Sequence, residues 1–95
     1  MLSTEILNSY SYLVWTPKYR FRILSGLVAE EVSHCIRTFS EQLKCEVVEL
    51  NVQIDHVHLL VMIPPKISVS DYVGTVRGQT VIRVFNRFQH LKRKP

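Results

Sequence analysis

The most constraining stretch of this chain lies between residues 45 and 63, where two alternating runs are separated by only two residues. In the first, Val48, Leu50 and Val52 alternate with Glu49, Asn51 and Gln53; the second runs from His56 to Ile63. Alternate side chains of a strand share a face, so each run reads as a strand. Ile54-Asp55 then reads as a two-residue hairpin loop, pairing Gln53 with His56 and Asn51 with His58. In that register Val57, Leu59 and Val61 join Val48, Leu50 and Val52 on a core face. His56 and His58 stand on the opposite, open face beside Asn51 and Gln53. A slip of one residue would bury the histidines among valines, which desolvation opposes.

Two histidines two residues apart on a strand have Cα atoms about 6.5–7 Å apart. Their imidazoles can converge on one cation or one phosphate. The plainer alternative is two polar positions on a solvated sheet face.

Elsewhere the pattern changes period. Residues 9–15 are aromatic and β-branched and read as a strand that Pro17 ends. Residues 1–8 read as a short leader or ragged turn. From Ser25-Gly26 to about Lys44, Val28, Val32, Cys35, Ile36, Phe39 and Leu43 form one apolar stripe at helical spacing. Glu30, Ser33, His34, Arg37, Glu41 and Lys44 take the other face. Pro64-Pro65-Lys66 stops the second strand of the hairpin. Ser68 to Asp71 supply N-cap residues for a second helix over 69–88. Its stripe is Val69, Val73, Val76, Thr80, Val81, Val84, Phe85 and Phe88. Gly78 in that helix reads as a packing contact. The order β-α-β-β-α predicts an α+β fold, ferredoxin-like or RRM-like, with an antiparallel sheet covered by both helices on one face. That plan centres the first and third predicted strands, which sets the histidines mid-sheet.

Size and charge limit the function classes. The 95 residues suit one small domain spanning 1–95, and 46% hydrophobic residues suit a folded one. A net charge of +4 favours a polyanionic partner. Lys18, Tyr19, Arg20 and Arg22 alternate cations with aromatics, a mix suited to a single strand's backbone and bases. Arg77, Arg83 and Arg87 project from the second helix. Cys35 and Cys45 lack metal-type spacing and read as reduced, buried thiols of a cytoplasmic protein. Neither a signal segment nor an apolar run of membrane-spanning length is seen.

These residues together resemble a known family. Tyr12-Leu13-Val14-Trp15-Thr16-Pro17-Lys18-Tyr19-Arg20, Asp55-His56-Val57-His58-Leu59-Leu60-Val61 and Pro64-Pro65-Lys66 are similar to segments of the HUH-type tyrosine transposases of the IS200/IS605 insertion sequences. Arg77-Gly78-Gln79-Thr80 and Phe85-Asn86-Arg87-Phe88 extend the likeness, which spans roughly residues 10 to 95. The resemblance implies a metal-dependent single-strand endonuclease and strand transferase working through a 5′-phosphotyrosine. It implies that His56 and His58 bind Mg²⁺ or Mn²⁺, that the partner is a single-stranded DNA hairpin, and that the chain is a homodimer. It also implies a further strand and a C-terminal helix carrying the nucleophile, which these 95 residues do not contain. Tyr10, Tyr12, Tyr19 and Tyr72 do not match that nucleophile. The chain is therefore expected to be a truncated form, inactive alone, with strand 9–15 left at an open edge that a second copy covers. The alternatives are a non-catalytic module binding single-stranded or hairpin DNA, and an RRM-like RNA binder.

Overall fold

The computed structural model describes residues 2–7, 10–15 and 26–88. They form strands β1 (Leu2–Leu7) and β2 (Tyr10–Trp15), helix α1 (Gly26–Gln42), strands β3 (Glu46–Val52) and β4 (Val57–Met62), and helix α2 (Val69–Arg87). The strands make one antiparallel sheet in the order β1-β2-β4-β3. This is the expected ferredoxin-like α+β arrangement, with β2 and β4 central.

The hairpin is what fixes the sheet. Asn51 lies opposite His58 and Val52 opposite Val57, and the Gln53 N–H donates to the His56 carbonyl at 2.8 Å. The expected register is therefore the observed one near the loop. Farther out it shifts. Glu49 pairs with Leu60 but Val47 pairs with Val61, so Val48 is an extra residue in β3. A bulge reverses the parity of the strand beyond it. Val47 consequently packs against the core while Val48 is 46% exposed. The assignment of Val48 to the core face is corrected on this ground, since period-two alternation cannot register an inserted residue.

The segment 1–8, expected to be a leader, contains β1. This strand pairs with β2 along its whole length, from Leu2 opposite Trp15 to Leu7 opposite Tyr10. Backbone N–H and C=O groups on an open strand edge need partners, and β1 provides them within the chain. The sheet has four strands, and the expected open edge of residues 9–15 is already covered. A second copy is therefore not needed to cover that edge, contrary to expectation.

Both helices lie on the face that carries Leu13, Val57, Leu59 and Val61, all 1% exposed or less. From α1 the predicted stripe is buried at Val28, Val32, Cys35, Ile36 and Phe39. From α2 it is buried at Val73, Val76, Thr80 and Val84, whereas Val81 is exposed and Tyr72, outside that stripe, is buried. Helix α1 ends in a Schellman turn. Cys45 N–H bonds to the Ser40 carbonyl and Lys44 N–H to that of Glu41, both at 2.9 Å. Lys44 takes the left-handed conformation, φ 61°, where glycine is usual. Helix α2 starts at Ser68, whose hydroxyl accepts from Asp71 N–H at 2.9 Å, as its residue type predicts. At Gly78 a Cβ would meet nothing within 4 Å, so no packing contact explains this glycine, contrary to expectation.

The bulge gives opposite outcomes for two hydrophobic positions in the hairpin. Leu59→Ala is expected to cost about 2–5 kcal/mol, while Val48→Thr shifts stability by less than about 0.5 kcal/mol. Urea unfolding of both variants measures this; an equal loss at Val48 would contradict the bulge.

Candidate metal centre

Strand parity places the two histidines. Val57 is fully buried, so its neighbours His56 and His58 emerge on the sheet face away from the helices, each half-buried. Their rings lie edge to face, with centroids 4.7 Å apart and planes at 74°. That is close enough for nitrogens of both rings to reach one ion at the ~2.0–2.2 Å of metal–imidazole bonds.

The second nitrogen of each ring is already engaged. His56 Nδ1 lies 2.6 Å from the Asp55 carboxylate. An ionised carboxylate only accepts, so Nδ1 carries a hydrogen, and in the neutral ring Nε2 keeps its lone pair. His58 Nδ1 lies 2.6 Å from the Tyr12 hydroxyl. Tyr12 comes from β2, where it faces Leu60 while Val14 faces His58, so the contact is a cross-strand diagonal. Both Nδ1 atoms thus have partners; the Nε2 of His56 is a donor the pair can present, and that of His58 is one when Tyr12 accepts. Among the described residues no group of three or more His, Cys, Asp or Glu could hold a metal ion. Further ligands would have to be water, substrate oxygen or groups outside the described residues.

Around the histidines the open face is mixed. Tyr10, Val14, Leu60 and Met62 are half-buried on the strands beside them, and Asn51 accepts from Gln53 at 2.7 Å on β3. Sequence reading placed His56, His58, Asn51 and Gln53 here and missed Tyr12 as a partner of His58. Only its even parity with Tyr10 and Val14 could have pointed to it.

The predicted cationic residues are scattered. Lys18, Tyr19, Arg20 and Arg22 lie outside the described residues. Arg83 and Arg87 belong to the helical layer, on the other side of the sheet from the histidines. The Arg83 guanidinium sits 5.4 Å from the Phe39 ring centre, and Arg87 pairs with Glu31. Arg77 is half-buried on α2.

Glu31 itself escaped sequence reading, although it falls on the α1 stripe between Val28 and Cys35. Burial tends to raise its carboxyl, but hydrogen bonds from Arg87 and Cys35 prevail and hold it below the ordinary 4.5. The Cys35 thiol is pushed up to about 11 by burial and by the adjacent Glu31 carboxylate. Tyr72 is excluded from surface chemistry. Its hydroxyl is buried 2.6 Å from Ser40 Oγ, and burial raises it to about 12.

The fold and site define a small α+β domain with a paired-histidine centre on the bare face of its sheet. The family model for IS200-like transposases matches residues 6–95, and the chain belongs to that family. It is 35% identical over 83 residues to the ISDra2 transposase TnpA of Deinococcus radiodurans, covering 87% of this chain and 59% of that one. It is 32% identical over 87 residues to the transposase for insertion sequence element IS200 of Salmonella typhimurium, covering 92% and 57%. The crystal structure of a proposed transposase from Deinococcus radiodurans R1 superposes with a TM-score of 0.83 at 36% identity, over 88% of this chain and 64% of that one. The chain thus spans less than two thirds of each of these relatives. No helix among the described residues is long and apolar enough to cross a membrane.

Two substitutions separate packing from the metal centre. Glu31 has its carboxyl lowered on folding, so its contribution is full above about pH 4.5 and is lost as pH falls through the folded value. Glu31→Gln is expected to flatten the acid limb of a stability–pH curve; an unchanged limb would refute the pairing. Tyr72→Phe leaves Ser40 without its partner and is expected to cost about 1–3 kcal/mol in thermal or urea unfolding, with Mn²⁺ affinity unchanged.

Proposed function

We propose that this chain acts in single-stranded DNA transposition, with His56 and His58 holding a divalent cation against a DNA phosphate. The observation that supports this most is the pair of Nδ1 contacts, to Asp55 and Tyr12, which leaves the Nε2 side of both rings for a cation when each Nδ1 carries the hydrogen. The residues fit a cation of the transition series. Two imidazole nitrogens suit Mn²⁺ better than Mg²⁺, which prefers oxygen ligands. A bound cation would offset charge building on the phosphoryl oxygens during cleavage and strand transfer.

The chain's own residues hold and orient. Tyr10 and Tyr12 offer rings on the open face, and Asn51 and Gln53 offer amides beside the histidines, the mixture a single strand requires. Lys18, Tyr19, Arg20, Arg22 and Arg77 are proposed to contact a hairpin's backbone. Arg83 and Arg87 serve the helix pair in this reading. The phosphotyrosine nucleophile is not Tyr72, whose hydroxyl is locked in the core. We assign these 95 residues the metal-holding and strand-holding share of the reaction, with the nucleophile supplied from outside them. A homodimer is part of the proposal on family resemblance.

Calorimetry with Mn²⁺ tests the site. The parent is expected to bind, and the His56→Ala/His58→Ala variant to lose at least about tenfold in affinity, as loss of a ligand requires. A double variant that binds as well as the parent sinks the assignment. Labelled hairpin DNA incubated with the 95-residue chain and Mn²⁺ is expected to be retained without a covalent adduct. An adduct would show that the nucleophile lies within this sequence.

A further inference from the structure

We propose that Tyr12 is the positioning residue of the metal centre: its phenol oxygen accepts the Nδ1–H of His58 and holds that ring in the tautomer that leaves Nε2 for the cation. The inference rests on the reading of His56 and His58 as ligands and adds a residue from another strand to it.

A neutral imidazole has one N–H and one lone pair, and the partner of one nitrogen decides the role of the other. For His56 the choice is made by Asp55, an acceptor only. For His58 the partner is a hydroxyl 2.6 Å away, which can donate or accept. If Tyr12 donates, Nε2 carries the hydrogen and is closed to a cation. If Tyr12 accepts, Nε2 is open and both histidines stand in the same tautomer. A cation at Nε2 therefore selects the accepting arrangement, and the hydroxyl hydrogen turns away from the ring.

The geometry suits an orienting role. The Tyr12 and His58 rings meet edge to face, centroids 5.9 Å apart and planes at 85°. Tyr12 is carried on β2, whose residues Leu13 and Ser11 are buried at 0% and 3% exposure, so its backbone is anchored on both sides. The two rings of the pair are in turn fixed against each other at 4.7 Å. Asp55, His56, His58 and Tyr12 thus form one continuous chain of contacts, with an acceptor-capable oxygen at each end. Such outer partners of ligating histidines govern both ring orientation and ligand basicity.

Tyr12→Phe removes the oxygen and keeps the ring. In Mn²⁺ calorimetry on the 95-residue chain, this variant is expected to bind about 10–100-fold more weakly than the parent. Side-chain ¹⁵N NMR with Zn²⁺ as the diamagnetic probe supplies a signature that packing alone does not produce. In the parent, His58 should carry its hydrogen on Nδ1 with Nε2 bound to the ion. The NMR measurement needs no variant: recorded also without Zn²⁺, where His58 is expected to carry its hydrogen on Nδ1 already, it tests the part of Tyr12 even where Tyr12→Phe folds poorly, and a hydrogen on Nε2 in the metal-free parent overturns it. Parent affinity in Tyr12→Phe, or a hydrogen on Nε2 of His58 in the Zn²⁺ complex, overturns the role of Tyr12. If instead the parent binds no metal, or the His56→Ala/His58→Ala variant binds as the parent does, the ligand reading fails and takes this inference with it.

Discussion

The structure depends on the parity of β4. Val57, Leu59 and Val61 must all face the helices, because they supply the most deeply buried part of the sheet. Strand geometry allows no partial compliance: every second residue then faces the other way. His56 and His58 are thus placed by the burial of their neighbours, not by interactions of their own. The site inherits the rigidity of the core on whose reverse side it stands. Central placement between β2 and β3 adds to this, since both edges of β4 are hydrogen-bonded.

The two faces of the sheet divide the chemistry. The helical side uses its polar groups for cohesion. Glu31 draws in Arg87 and the Cys35 thiol, and Ser40 binds Tyr72. Buried groups of this kind are held because leaving either partner alone is costly. On the open side the two histidines make their contacts through Nδ1, to Asp55 and Tyr12. The proposed role at a DNA phosphate would use that difference, since such a reaction needs ligands that are oriented but not satisfied.

Much of this was legible in the residues. The hairpin register, both helices and the outward histidines follow from spacing, because two-residue and 3.6-residue periods report directly on which side meets the core. Two departures have a common cause. The bulge at Val48 and the strand at Leu2–Leu7 arise from backbone pairing, which side-chain patterns record only indirectly. The bulged residue is a valine in a run of valines, and β1 is a short mixed segment lacking a clean alternation. The site showed the same limit. His56 and His58 were visible as a local motif, and Asp55 lies beside them. Tyr12 is 46 residues from His58 in sequence and reaches it only across β2 and β4. Contacts between strands need the register of β2 against β4, which neither strand's own pattern contains.

Helix α2 carries one further consequence. Gly74 and Gly78 are both exposed, and no atom of a neighbouring element lies within 4 Å of where their side chains would begin. Each weakens the helix by about 1 kcal/mol relative to alanine without any steric need for it. They stand four apart, so one exposed strip of the helix is soft over a full turn. That turn is held from its other side, where Val73 and Val76 are 9% and 1% exposed. The two glycines therefore weaken α2 only through its intrinsic helix preference, and packing of its buried face is what holds that turn in place.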